Sequence, residues 1–209
     1  VSTSDSVRHE LRAATQAIHE RLHIHPLMGP LTGPALTMDG YRRALRALYG
    51  FHLAVERRVG DDGRLALLRA DLMALGDGPD AIDALPLAPV DPGTGTPARL
   101  AARYVLDGSA HGGRAMLPNL RQTLGIGPER GAAFFASAGL DTAGAWQALL
   151  LALETELAAP GDRRAARDAA VGLFAGLERW LDRCAGIDGA GPGATGVLSS
   201  VAASSGQVS

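Results

Sequence analysis

Apolar residues in this chain recur at spacings of three and four. Val7, Leu11, Ala14, Ile18 and Leu22 form one such stripe; Tyr41, Leu45, Leu48, His52 and Val55 form another. Only an α-helix sets residues at those intervals on one face, so the stripes predict amphipathic helices packed on a common core. Composition agrees. Alanine, leucine and arginine dominate, while the β-branched residues that strands favour are sparse. The 27 glycines do not overturn this, because several gather between 186 and 206 and others fall in turns. The expected fold is all-α, a single-domain bundle of about seven helices whose interior can hold a cofactor.

The boundaries follow from caps and breakers. The first helix is expected from a Ser4 or Asp5 cap to about His25, followed by a loop through Pro26, Gly29, Pro30, Gly33 and Pro34. Helices are predicted over 39–59 and 64–75, with an irregular connection over 76–97. Thr96-Pro97 is the expected start of a fourth helix running towards Leu124, interrupted by Gly108, Gly112 and Gly113. A short helix is expected over 129–136. A longer one is capped by Asp141 and ended by Pro160-Gly161, and the last is capped by Asp162, with Leu173, Leu177, Trp180 and Leu181 facing inward. The domain is drawn as residues 1–185, and residues 186–209 as a Gly/Ser/Ala-rich tail expected to be disordered.

With 209 residues the chain is long enough to bury a full core. A net charge of −2 gives no electrostatic reason to expect nucleic acid or an anionic membrane as partner. No apolar run approaches the ~18 residues of a membrane span, and the polar opening Val1-Ser2-Thr3-Ser4-Asp5 lacks a signal-peptide layout. The expected location is the cytoplasm. A lone cysteine, Cys184, excludes an internal disulfide and a thiolate metal cage.

Six histidines is many for so helical a chain, and His19, His23 and His25 lie close together. His19 flanks the first apolar stripe, where a neutral imidazole can coordinate a metal in a protected cavity or simply hydrogen-bond a neighbour. Glu20 and His23 form a Glu-x-x-His pair, half of a carboxylate-bridged di-iron site. No second such pair exists, so a solvated helix face is the better reading.

The most unusual stretch is Tyr104-Val105-Leu106-Asp107-Gly108-Ser109-Ala110-His111-Gly112-Gly113-Arg114. Each glycine inside a helix costs on the order of 1 kcal/mol relative to alanine. Gly108 and Gly112, four apart, share a face that can approach a flat ligand to backbone contact. Close packing of two helices across small residues explains the pattern equally well.

Leu11-Arg12-Ala13-Ala14-Thr15-Gln16-Ala17-Ile18-His19-Glu20-Arg21-Leu22 resembles the N-terminal helix of haem oxygenases, and the Tyr104–Arg114 stretch resembles their glycine-rich distal helix, especially in bacterial members. Phe134-Phe135, Gly139 and Trp146 stand where related bacterial members carry an aromatic pair, a glycine and a tryptophan. The likeness spans about residues 7–184. It implies haem held between the first helix and the glycine-broken fourth, with His19 as proximal iron ligand and Gly108 and Gly112 crowding the distal face beside Gly113. It further implies oxidative cleavage to biliverdin, carbon monoxide and ferrous iron, using O2 and electrons from a separate reductase or ferredoxin, because the chain has no dinucleotide fingerprint.

Arg12, seven residues before His19, matches a basic position of the family and is the first choice for a haem propionate; Arg8 and Arg114 are weaker choices. Two positions depart from the pattern. Ser109 stands where some members carry an aspartate that organises distal water, and Asp107, two positions away, should point elsewhere. His111 replaces an apolar residue, and either reaches the distal side or faces another helix or solvent. These departures motivate an alternative, a haem carrier or sensor without turnover. A thiaminase-like bundle enzyme would need a cysteine nucleophile in its pocket, and Cys184 near the end of the last helix is poorly placed for that.

Overall fold

The computed structural model describes residues 6–60 and 63–186; for His111 it describes the backbone alone. The proposed tail lies outside the described residues. Those residues form nine α-helices: α1 (Val7–Ile24), α2 (Met38–Val59), α3 (Arg64–Ala74), α4 (Pro79–Asp83), α5 (Gly95–Gly113), α6 (Leu117–Leu124), α7 (Ala133–Ala136), α8 (Thr142–Glu156) and α9 (Pro160–Ala185). Single 3-10 turns occur at Gly29–Thr32 and Arg114–Met116, and there is no strand among the described residues. The fold is all-α, as the spacing and composition require.

α9, the longest helix, is the spine. Glu10 meets Arg163 at 3.2 Å and Arg21 meets Glu178 at 2.6 Å, so α1 runs parallel to it. Trp180 donates its indole N–H to the Ala47 carbonyl at 2.8 Å, and Arg43 reaches the Cys184 carbonyl, so α2 runs antiparallel. α5 also packs along α9 and runs antiparallel to α8, with Arg99 on Glu156 and Arg114 on Thr142. One apolar cluster joins Val7 and Leu11 of α1 to Phe51, Leu100, Leu106, Leu153, Leu173 and Trp180. Another gathers Tyr41, Leu45, Leu68, Leu72, Leu120 and the Phe134-Phe135 pair around the other side of α2. Each fully buried leucine contributes roughly 2 kcal/mol by area alone, which is why the three-and-four stripes governed the outcome.

Several boundaries differ from the sequence expectation, each for a local reason. The α1 cap is Ser6, whose hydroxyl accepts from the His9 N–H at 3.3 Å. α5 begins at Gly95 behind Thr94, ahead of the expected Thr96-Pro97 start, and makes no side-chain cap. The connection over 76–97 contains the short α4, started by Pro79 and anchored by the buried Ile82. Residues 127–132 form a turn instead of helix, so α7 is one turn long. That turn is opened by the Asp71 carboxylate of α3, which accepts the Ala133 and Phe134 N–H groups at 2.9 and 2.8 Å. Asp141 caps α8 as expected, accepting from the Gly144 N–H at 2.9 Å. Asp162 is not the cap of α9: Ala159 occupies that position and Pro160 follows at the first helical position, where its missing N–H is harmless.

Candidate functional site

The α1 stripe Val7, Leu11, Thr15 and Leu22 is buried. The Glu154 carboxylate of α8 fixes the start of the helix by accepting the Val7 N–H at 2.8 Å. Beside the stripe, at spacings of seven and four that keep them on one face, stand Arg12, His19 and His23, all solvent-exposed. The His19 ring is edge-on to Phe174 of α9, centroids 6.1 Å apart, and edge-on to His23 at 4.5 Å. Partial burial lowers its pKa below the ordinary 6.5; the neighbouring His23 and Arg12 act the same way, while Glu20 opposes them. The ring is therefore neutral at pH 7, with a nitrogen lone pair to offer.

On α5, Tyr104, Gly108 and Gly112 follow one another at intervals of four. The Tyr104 hydroxyl faces Thr15 of α1. Burial raises its pKa, against the pull of Thr15 and of Arg8 and Arg12 nearby. Its ring lies 5.9 Å from that of Trp146 of α8, and the Arg8 guanidinium stands 5.8 Å over the same Trp146 ring. The charged face of α1 and the glycine face of α5 thus meet at Tyr104. His19 is one turn beyond Thr15, and Gly108 is one turn beyond Tyr104.

The three glycines of α5 separate into two kinds. A Cβ on Gly113 would meet the Phe135 ring at 3.2 Å and its carbonyl at 3.3 Å, so that glycine is explained by the close seat of α5 on α7. A Cβ on Gly108 would only touch Trp146, at 3.9 Å. On Gly112 it would meet nothing within 4 Å among the described residues. Helix-on-helix packing accounts for Gly113 and leaves Gly108 and Gly112 without a reason internal to the described protein. The helix also stays α-helical through Gly108 and Gly112, and tightens to a 3-10 turn only after Gly113.

The other sequence candidates are scattered around this face. Ser109 is exposed, with its hydroxyl donating to the Leu106 carbonyl one turn back at 2.6 Å. Asp107 points inward, 2.9 Å from Arg103 and 3.5 Å from the buried Arg64 of α3. Arg114 donates to the Thr142 hydroxyl, towards α8. The His111 side chain lies outside what is described. Glu20 accepts from Gln16 at 2.8 Å along the exposed flank of α1. Cys184 is half-buried and its thiol pKa is raised by burial, unlike an activated nucleophile.

Sequence reading missed Tyr104 as the link between the two faces, although its position four before Gly108 was a usable signal. It also missed the pairing of His19 with His23, visible as an i,i+4 spacing. The buried His52–Glu56 pair, 2.7 Å apart within α2, had no sequence signal beyond the apolar stripe it interrupts. Among the described residues, no three or more His, Cys, Asp or Glu side chains are grouped to hold a metal ion. No helix there is long and apolar enough to cross a membrane. A recess of about 420 Å³ lies away from His19, lined by Arg58, Val59, Thr94, Thr96 and Arg99 among others.

No protein-family model matches the chain, and no curated protein matches it either. Solved structures do. The haem oxygenase of Leptospira interrogans superposes with a TM-score of 0.68 at 16% identity, over 85% of this chain and 99% of that one. Haem oxygenase-1 of the cyanobacterium Synechocystis sp., solved in complex with haem, gives 0.66 at 15% identity, over 87% and 93%. The chain has the haem oxygenase fold.

Proposed function

We propose that this chain binds haem between α1 and α5 and degrades it oxidatively to biliverdin, carbon monoxide and ferrous iron. The observation that carries the reading is the bare face of α5. Gly108 and Gly112 each forgo about 1 kcal/mol of helix stability, and the described protein does not fill the space their side chains would take. A flat ligand resting on the backbone gives that loss a purpose. The fold shared with a haem-complexed structure makes haem the ligand of choice.

The residues present fit such a group. His19 is neutral and solvent-accessible, and would hold the iron from the α1 side through its free nitrogen. Arg12, on the same face, would pair with a propionate carboxylate at the mouth. Gly113, seated on Phe135, would set the position of the α5 wall, and Tyr104 would bring that wall beside Thr15 of α1. Ser109 donates to Leu106 and would keep its lone pairs for water at the distal side. When bound, haem supplies the iron that activates dioxygen and the macrocycle that is oxidised. Electrons would come from a separate reductase or ferredoxin.

One observation favours a second reading, a haem carrier or sensor without turnover. Near Gly108 the only described carboxylate on α5 is Asp107, which is turned inward to Arg103 and Arg64. A single experiment separates the two. Hemin is added and the Soret band recorded, then reductant, catalase and oxygen are supplied. Biliverdin supports the enzyme, a persistent haem complex supports the carrier, and no Soret shift rejects both. His19→Ala should abolish the ligated spectrum.

A further inference from the structure

His19, Glu20, Arg21, Leu22 and His23 spell the pattern His-Glu-x-x-His on a single helix. On a helix this spacing puts two imidazoles on one face, one above the other, where they can share a metal ion. Here they do stand together, exposed, with ring centroids 4.5 Å apart and planes at 83°. Two imidazoles bound to one tetrahedral Zn²⁺ through bonds of about 2.05 Å would place their centroids roughly 5 Å apart. The observed centroid separation is within about 1 Å of that chelate spacing. Among the described residues neither ring has a carboxylate partner in an ion pair, in contrast to His25, whose ring meets Asp182 at 3.2 Å.

We infer that His19 and His23 form a two-nitrogen clip for a divalent transition-metal ion of the imidazole-preferring kind, such as Zn²⁺ or Ni²⁺. Binding displaces two of the ion's water ligands and leaves the remaining positions hydrated. A metallohydrolase site needs a third protein ligand, and no group of three is present among the described residues, so the clip binds without a hydrolytic role. Its consequence concerns haem. An ion held by His19 occupies the nitrogen that the proposed function gives to haem iron, so metal and haem compete for the same lone pair. That consequence rests on the haem reading; the clip itself does not.

The test uses the full chain without haem. Zn²⁺ is titrated at pH 7.5 by calorimetry, with the imidazole ¹⁵N resonances followed by NMR. One ion per chain is expected, shifting the ring nitrogens of His19 and His23. His19→Ala and His23→Ala should each weaken binding by at least about tenfold, the lower end of what loss of even an outer-shell partner costs, while His9→Ala on the same helix should bind as before. Affinity unchanged in either variant, or resonance shifts confined to other histidines, would overturn the clip. Hemin is then titrated with and without saturating Zn²⁺. Competition is expected. Zn²⁺ binding with no hemin ligation under any condition would sink the haem reading and leave the clip standing.

Discussion

Replacing the three glycines of α5 one at a time by alanine should split them by sign. In a helix interior alanine is favoured over glycine by about 0.8–1.0 kcal/mol. At Gly112 the new methyl meets nothing within 4 Å among the described residues, and at Gly108 it makes an ordinary contact with Trp146 at 3.9 Å. Both variants should therefore gain close to the full propensity term in the haem-free protein, raising Tm by roughly 2–4 °C for a chain of this size. At Gly113 the methyl lands 3.2 Å from the Phe135 ring and 3.3 Å from its carbonyl. Forcing α5 off α7 to relieve that contact costs about 1–3 kcal/mol, so this variant should lose stability. Hemin affinity should move the other way for Gly108→Ala and Gly112→Ala. A methyl intruding on the ligand face costs about 1–3 kcal/mol, or roughly five- to 150-fold in Kd. The assays are urea unfolding of the haem-free chain and a Soret titration of each variant. Gly108→Ala and Gly112→Ala that destabilise the haem-free protein would show that these glycines serve internal packing. Variants that gain stability and bind hemin as tightly as the parent would show that nothing rests on that face.

The lowered pKa of His19 makes ligation acid-tolerant: the lone pair is lost only below the ordinary value of 6.5, so a Soret-monitored pH titration should show the His19-ligated form persisting beneath that pH. Asp77, held by Arg46 and Arg42, has its pKa lowered to about 2 from 3.8. A depressed carboxylate stabilises the fold above its unfolded value, and that contribution disappears as pH falls from about 4 to about 2. Because both arginines are partly solvated, Asp77→Ala should cost about 1–2 kcal/mol at pH 7, and its stability difference from the parent should vanish in that acid window, as read by urea midpoints. Asp107→Ala removes a carboxylate from the buried Arg64 and should cost about 3 kcal/mol; a loss under 0.5 kcal/mol would mean that the pair is not structural.

The helices were legible because burial imposes a period, and a period survives in the sequence whatever the partner. Val7, Leu11 and Leu22, or Tyr41, Leu45 and Leu48, are read from spacing alone and are buried in the fold. The misplaced boundaries fall where a distant group decides. Asp71 opens α7 from 62 residues away, and no local pattern around Ala133 announces it. Because proline breaks helices, Pro160 reads in the sequence as a terminator, yet proline also starts helices, and only the path of the chain after Leu157 distinguishes the two roles.

The same division runs through the candidate site. His19 and the glycines were conspicuous as residue types, but their meaning depended on what surrounds them in space. Gly113 and Gly112 are neighbours with the same intrinsic cost, and sequence cannot rank them. One is closed off by Phe135, the other is open. The structure turns a repeated residue into one packing contact and one open surface, and the open surface is where the proposed ligand would rest. Tyr104 sharpens that placement. It sets α5 beside Thr15 of the helix that carries His19, so the open glycine face and the neutral imidazole lie one turn further on along neighbouring helices. A metal-bearing planar ligand satisfies both at once. A bare transition ion on His19 and His23 satisfies only one, and the hemin and Zn²⁺ titrations weigh those demands against each other.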